Sequence, residues 1–219
     1  MRSYAQYCAL SKALDVVGDR WTLLIVRELL IRPCRYGELQ DGLPGIASNL
    51  LAARLRDLEG NGVVAKPAAK AGEGRYTLTE WGRYLAEPVC ALGRWGAPLM
   101  DVQEEGDAFQ GQWLALPIDI IFGGVDPSRP PFAAEIRAAG QAVTLRSADG
   151  EVHFAPGPAD APDLVLTGPP DGVLGLLSGR LDRRGAEAGG VSILGDLDTL
   201  VALRRADWLT GPEALPRAG

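Results

Sequence analysis

Histidine and cysteine are scarce: the 219-residue chain holds one His and three Cys. Each shortage removes a chemistry. His153 alone cannot build a histidine cluster for a metal ion. No Gly-x-Ser-x-Gly elbow, CxxC pair or phosphate loop occurs, and no set of nucleophile, acid and base stands out. The chain therefore reads as a non-enzyme without a cofactor. Cys8, Cys34 and Cys90 are odd in number and far apart, which suits free thiols in a reducing compartment rather than a disulfide framework. No apolar run reaches the roughly 18 residues of a membrane span, and the first dozen residues lack a secretory apolar core. The expectation is a soluble cytoplasmic protein with no membrane partner.

Lysine is rare too, and Lys12, Lys66 and Lys70 all lie in the first half. The net charge of −6 at first argues against a polyanionic partner, but its distribution reverses that. Residues 1–100 carry 13 Lys+Arg against 10 Asp+Glu, and residues 101–219 carry 9 against 18. Such asymmetry, +3 against −9, is expected of two domains with different partners. The first can approach DNA, and its small positive excess suggests doubling through a dimer. At 47% hydrophobic and 23% charged residues the composition is globular.

Apolar spacing predicts four helices in the first sixty residues. Tyr7, Leu10, Leu14 and Val17 form one stripe. After Gly18, Asp19 is expected to cap a second helix from Arg20 to about Ile31, with Trp21, Leu24, Ile25 and Leu29 inward. Tyr36, Leu39 and Leu43 mark a short third helix stopped by Pro44-Gly45. The fourth runs from about Ala47 to Glu59 with Leu51, Leu55 and Leu58 inward, and Asn61-Gly62 supplies its left-handed end. Two strand-like pieces, 63–66 and 75–78, flank a Pro/Gly loop, and Thr79 is a good cap for the next helix. Helices followed by a two-stranded wing are how a small domain offers one helix to the major groove.

On the fourth helix, 100° per residue places Asn49, Ala52, Ala53 and Arg56 opposite the leucines. Small residues let the backbone enter a groove; Asn49 can read adenine, and Arg56 can reach guanine or phosphate. Ser48 stands where free backbone N–H groups favour phosphate. Arg54, beside the buried arc, is expected to reach a phosphate or an acidic neighbour rather than a base. In the wing, Lys66, Lys70 and Arg75 are candidate backbone contacts, with Arg75 the strongest.

These segments resemble the HxlR-type winged-helix regulators of the MarR-like superfamily. The resemblance rests on Cys8, the run LDVVGDRWTLLIVREL, Arg35-Tyr36-Gly37-Glu38-Leu39, Leu43-Pro44-Gly45-Ile46, Leu51 with Arg54-Leu55-Arg56-Asp57-Leu58-Glu59, and Tyr76-Thr77-Leu78-Thr79 with Gly82. One departure is Ala47, where the family usually has serine, so Ser48 either takes over the capping or the helix starts less firmly. The resemblance implies a DNA-binding transcription regulator whose terminal helices build the dimer. Val89, Leu92, Trp95 and Leu99, an apolar stripe that by itself equally suits core packing, then become interface candidates. It also makes Cys8 a candidate redox sensor, although its place near an apolar stripe equally suits plain packing. Cys34, in a turn between Pro33 and Arg35, is expected to be the more exposed thiol.

Residues 101–112 read as an acidic linker. Beyond it, AEIRA and AVTLRSADGEVHF read as strands, the latter turning at Asp149-Gly150. A strand at 163–168, a helix in PPDGVLGLLSGRL, a strand at 191–196 and a closing helix complete an α/β domain over 113–219. Its GAEAGG segment reads as a turn. The hydrophobic patterning here resembles the sterol-carrier-type fold. That resemblance implies an apolar ligand pocket lined by Leu164, Leu166, Leu174, Leu177, Leu181 and Ile193, which otherwise are simply core.

The expected fold is α+β: a winged helix-turn-helix domain over 1–100, then a smaller α/β domain. The expected function is a sequence-specific DNA-binding regulator, a homodimeric repressor answering to a small apolar ligand or a redox signal. Its rival is an apolar-ligand carrier or accessory protein in which the second domain does the work.

Overall fold

A computed structural model describes residues 3–66, 74–100, 106–115, 121–122 and 126–204. They form two compact units, Met1–Ala91 and Leu92–Gly219. The division falls earlier than the boundary expected at residue 100, and the second unit is the longer.

The first unit contains α1 (Ala9–Val17), α2 (Thr22–Ile31), α3 (Tyr36–Gly42), α4 (Ser48–Gly60), β1 (Val64–Ala65), β2 (Thr77–Leu78) and α5 (Glu80–Arg83). The division lies within α6 (Ala86–Gly96). Ile25, Val26, Leu29, Leu39, Leu43, Leu51, Leu55, Leu58 and Leu78 are buried. Each fully buried leucine of this kind stabilises the fold by roughly 1.5–3 kcal/mol. α4 ends as its sequence predicts: Asn61 follows Gly60, Gly62 takes φ +72°, and its N–H donates to the Glu59 carbonyl. Thr79 caps α5 by accepting from the Gly82 N–H at 2.9 Å. β1 and β2 pair antiparallel, Val64 opposite Leu78. Cys34 joins Tyr76 through reciprocal backbone bonds of 3.1 and 2.7 Å, giving the wing a third short member.

Three expectations fail here. Asp19 does not cap α2; its carboxylate pairs with Arg54, and the cap position is Trp21, held left-handed at φ +79°. The helix starts beyond Trp21, which shifts its inward face, so Leu24 is exposed and Val26 is buried instead. α1 begins at Ala9, which leaves Tyr7 outside it, and Leu10 and Leu14 face outward.

The second unit is built on a five-stranded sheet of β3 (Phe132–Ala138), β4 (Gln141–Ala148), β5 (Glu151–Pro156), β6 (Leu164–Gly168) and β7 (Ser192–Gly195). The strand order is β5-β4-β3-β6-β7, antiparallel except for the parallel pair β3–β6. Asp149 and Gly150, at φ +52° and +82°, make the expected tight turn, and Ala139 and Gly140 make a second one between β3 and β4. Phe132, Ala134, Ile136, Val143, Leu145, Leu164 and Leu166 share a buried cluster with residues of α7 (Pro170–Ser178), α8 (Arg183–Ala188) and α9 (Leu197–Ala202). α8 replaces the turn expected around GAEAGG. Asp182 caps it by accepting from the Gly185 N–H at 2.7 Å, a signal that Gly185 within the helix and Gly189-Gly190 after it conceal. Residues 101–105 of the expected linker lie outside the described residues, but Gly111–Leu114 is a short 3-10 turn with Leu114 in the core. That end of the linker therefore belongs to the second unit.

The connection from β5 to β6 is held at the sheet by Glu135, the one buried acidic residue of β3. Its carboxylate accepts from the Ala159 N–H at 3.0 Å and pairs with Arg137.

Candidate nucleic-acid interface

The side chains of α4 divide by face as the leucine spacing requires. Leu51, Leu55 and Leu58 are buried, Ser48, Asn49 and Arg56 are exposed, and Ala52 and Ala53 are half-buried. The substitution of alanine at position 47 has a visible consequence. Ala47 is the N-cap and offers no side-chain acceptor; Ser48 is already inside the helix. Asn49 Oδ1 instead accepts from the Leu50 N–H at 2.9 Å, leaving the Asn49 amide NH2 facing outward for another acceptor. The Tyr36 hydroxyl donates to the Ser48 carbonyl at 2.6 Å, with Ser48 Oγ 3.0 Å away. This ties the start of α3 to the start of α4.

The cations separate into two groups. Arg54 points to carboxylates, 3.0 Å from Asp19 and 3.1 Å from Asp57. It follows the acidic-neighbour half of its expectation and joins α4 to the turn before α2. Arg75, expected as the strongest wing contact, donates to Glu38 at 2.8 Å and to the Pro33 carbonyl at 3.0 Å. Its guanidinium is committed to the framework. Arg56 and Lys66 make no ion pair among the described residues; Lys66 lies 4.9 Å from the centre of the Tyr76 ring. Lys70 lies outside the described residues. Glu38 is held below the usual carboxylate range, first by the Arg35 backbone N–H and then by Arg32 and Arg75.

The thiols differ sharply. Cys8 is exposed at the N-cap of α1, and the backbone N–H groups of Ser11 and Leu10 lower its pKa. Cys34 reverses its expectation: it is buried, and desolvation pushes its thiol up to about 11. The turn that looked open is the strand paired with Tyr76. Alkylation by iodoacetamide is therefore expected to modify Cys8 well before Cys34 near neutral pH, because the thiolate is the nucleophile. Mass spectrometry of a time course reads the order; Cys34 reacting first would refute this account of both environments.

Of the expected dimer residues, Leu92, Trp95 and Leu99 are each at least half exposed, whereas Val89 is buried and is withdrawn from that set. In the second unit, Leu164, Leu166 and Leu177 are fully buried, and Leu174, Leu181 and Ile193 pack against the same core cluster. Leu181 rests against Gly175 of α7, where an added Cβ would lie 2.7 Å from its Cδ1. An open depression formed by residues 137–142 with Thr167 and Gly168 contains none of these six. No group of three or more His, Cys, Asp or Glu that could hold a metal occurs among the described residues.

Sequence reasoning did not single out the bracing contacts of Tyr36 and Glu38 beside this surface. The available signal was the short Arg-Tyr-Gly-Glu run before the Pro44-Gly45 stop.

A family model described as HxlR-like helix-turn-helix matches residues 16–104. The chain is 34% identical over 92 residues to YvaP of Bacillus subtilis (strain 168), an uncharacterized HTH-type transcriptional regulator, covering 41% of this chain and 85% of that protein. It is 32% identical over 88 residues to the HTH-type transcriptional regulator YodB of the same organism, covering 39% of this chain and 79% of that one. The crystal structure of quinone-bound YodB from B. subtilis is similar at 32% identity and a TM-score of 0.36, over 40% of this chain and 94% of that chain. The family match ends at residue 104 and leaves the five-stranded sheet outside it.

Proposed function

Because the chain belongs to the HxlR-like helix-turn-helix family, we propose that it is a homodimeric, sequence-specific repressor that places α4 in the major groove. The observation that carries this reading is the division of α4: three leucines inward, and Ser48, Asn49, Ala52, Ala53 and Arg56 on the remaining surface, followed directly by the wing. Asn49 and Arg56 are the proposed base readers, Ser48 and Lys66 the proposed phosphate contacts, and Lys70 extends the wing set. Arg54 and Arg75 act through their carboxylate partners. The outward apolar side chains of Leu10, Leu14, Leu92, Trp95 and Leu99 support self-association. Such exposed apolar groups are the usual material of an interface core.

Two inputs are proposed. Cys8 is an exposed thiol of lowered pKa, which is what an oxidant or electrophile sensor requires. The second unit, with its sheet of order β5-β4-β3-β6-β7 and helices on one core, is the proposed receptor for an apolar ligand, with the six core residues as its candidate lining. A ligand there regulates DNA binding only if it favours one dimer geometry over another.

One titration tests the function. The affinity of the full chain for duplex DNA should fall with salt at a slope of about −0.9 per phosphate neutralised, giving several units for a dimer. The same titration with a fatty-acyl probe present should shift the curve if the second unit senses such ligands. A slope near zero with tight probe binding would sink the regulator reading and favour an apolar-ligand carrier.

A further inference from the structure

The Glu38 carboxylate gathers the end of α2, the start of α3 and the base of the wing, the last of them 37 residues away in the chain. Its Oε1 accepts from Arg32 Nη1 at 3.0 Å, just past the end of α2. Its Oε2 accepts from the Arg35 backbone N–H at 2.6 Å, at the start of α3. The same oxygen accepts from Arg75 Nη1 at 2.8 Å, at the base of the wing. Arg75 Nη1 also donates to the Pro33 carbonyl at 3.0 Å. The next residue, Tyr76, is bridged to Cys34 by backbone bonds and carries Lys66 over its ring. Lys66, which makes no ion pair among the described residues, is thus linked through Tyr76 to the strand that Arg75 begins. Resting on the duplex-binding reading above, we propose that Glu38 is a positioning residue that sets the wing, and Lys66 with it, at the angle the DNA backbone requires. It touches no DNA itself. A carboxylate in a DNA-facing domain repels phosphate, and here both of its oxygens are occupied by the protein's own donors. The guanidiniums beside it offset its charge.

The test uses the full chain and two probes: a duplex this protein enriches from a random-sequence pool, and an unselected duplex of the same length. Glu38→Ala is expected to bind the enriched duplex about fivefold to tenfold more weakly, the scale of one lost coupling in an ion-pair network. Its affinity for the unselected duplex should fall less, because no single register there demands the wing's angle and the lost negative charge offsets part of the misplaced Lys66 contact. Hydroxyl-radical footprints should lose protection at the flanks, where the wing lies, and keep it at the centre. Glu38→Gln, which keeps an acceptor, should fall between. Arg75→Gln added to Glu38→Ala should change little further. An unchanged flank footprint with an unchanged ratio of the two affinities would overturn the proposal. So would equal weakening on both duplexes with a matching drop in melting temperature, which marks a purely structural role. Full additivity of the two substitutions would overturn it as well. If the unaltered protein enriches no sequence and binds no duplex, the regulator reading itself falls and takes this proposal with it.

Discussion

Leu55→Ala is expected to destabilise the first unit by about 2–5 kcal/mol, the range for emptying a fully buried leucine site. Leu55 stands in the middle of α4, with Leu51 and Leu58 one turn to either side, all three inaccessible. Alanine has the higher helix propensity, so the loss comes from missing contacts and from the cavity, not from the helix. Much of a typical domain's stability, about 5–15 kcal/mol, would go with it. Because the chain has two units, a single unfolding curve is not a two-state measure. Hydrogen exchange of the α4 amides in rising urea is the right readout. A shift below about 1 kcal/mol would show that the site collapses around alanine.

Asn49→Ala, on the opposite face of the same helix, should leave that exchange nearly unchanged and act on recognition. The expected loss is about 1–3 kcal/mol on an enriched duplex, with little loss on an unselected one. Asn49 Oδ1 already accepts from the Leu50 N–H, so part of any effect belongs to the helix start. Asn49→Ser separates the two, because serine still offers a short oxygen acceptor to the Leu50 N–H but cannot make the two-bond contact to adenine. Specificity retained by the serine variant would assign Asn49 to the helix and remove it from the reading set. Equal weakening of alanine on both duplexes would count against base reading altogether.

What was legible in the sequence was local. Thr79 before Gly82, Asn61-Gly62 after α4 and Asp149-Gly150 between β4 and β5 each state their own geometry within four residues, and the structure follows them. The faces of α4 were legible because three leucines at spacings of four and three fix a helical phase. What the sequence hid depends on partners from elsewhere. Arg75 looks like a free wing cation until Glu38, 37 residues earlier, is brought beside it. Arg54 meets Asp19 in the same way. Cys34 looks open between Pro33 and Arg35 until Tyr76 arrives to pair with it. Trp21 in a left-handed conformation is the least predictable element, because a bulky residue there is disfavoured on its own. It packs over Gly45, where an added Cβ would come within 3.8 Å of its ring. For the interface, residue types on α4 sufficed to nominate Ser48, Asn49 and Arg56. Separating Arg56 and Lys66, which make no ion pair among the described residues, from the bracing Arg54 and Arg75 required the fold.

The placement of β3 bears on synthesis of the chain. One side of β3 pairs with β4, which follows at once, but the other side is reserved for β6. Ala133 bonds to Asp163, thirty residues on. On a growing polypeptide the strand FAAEIRA thus waits with a bare hydrogen-bonding edge until residue 168 has emerged. Bare apolar edges recruit strands from neighbouring chains, and a charge in the strand is the usual deterrent. Glu135 is that charge. In the finished sheet its carboxylate receives Ala159 and Arg137; before then it stands in the strand as the kind of charge that discourages pairing between copies.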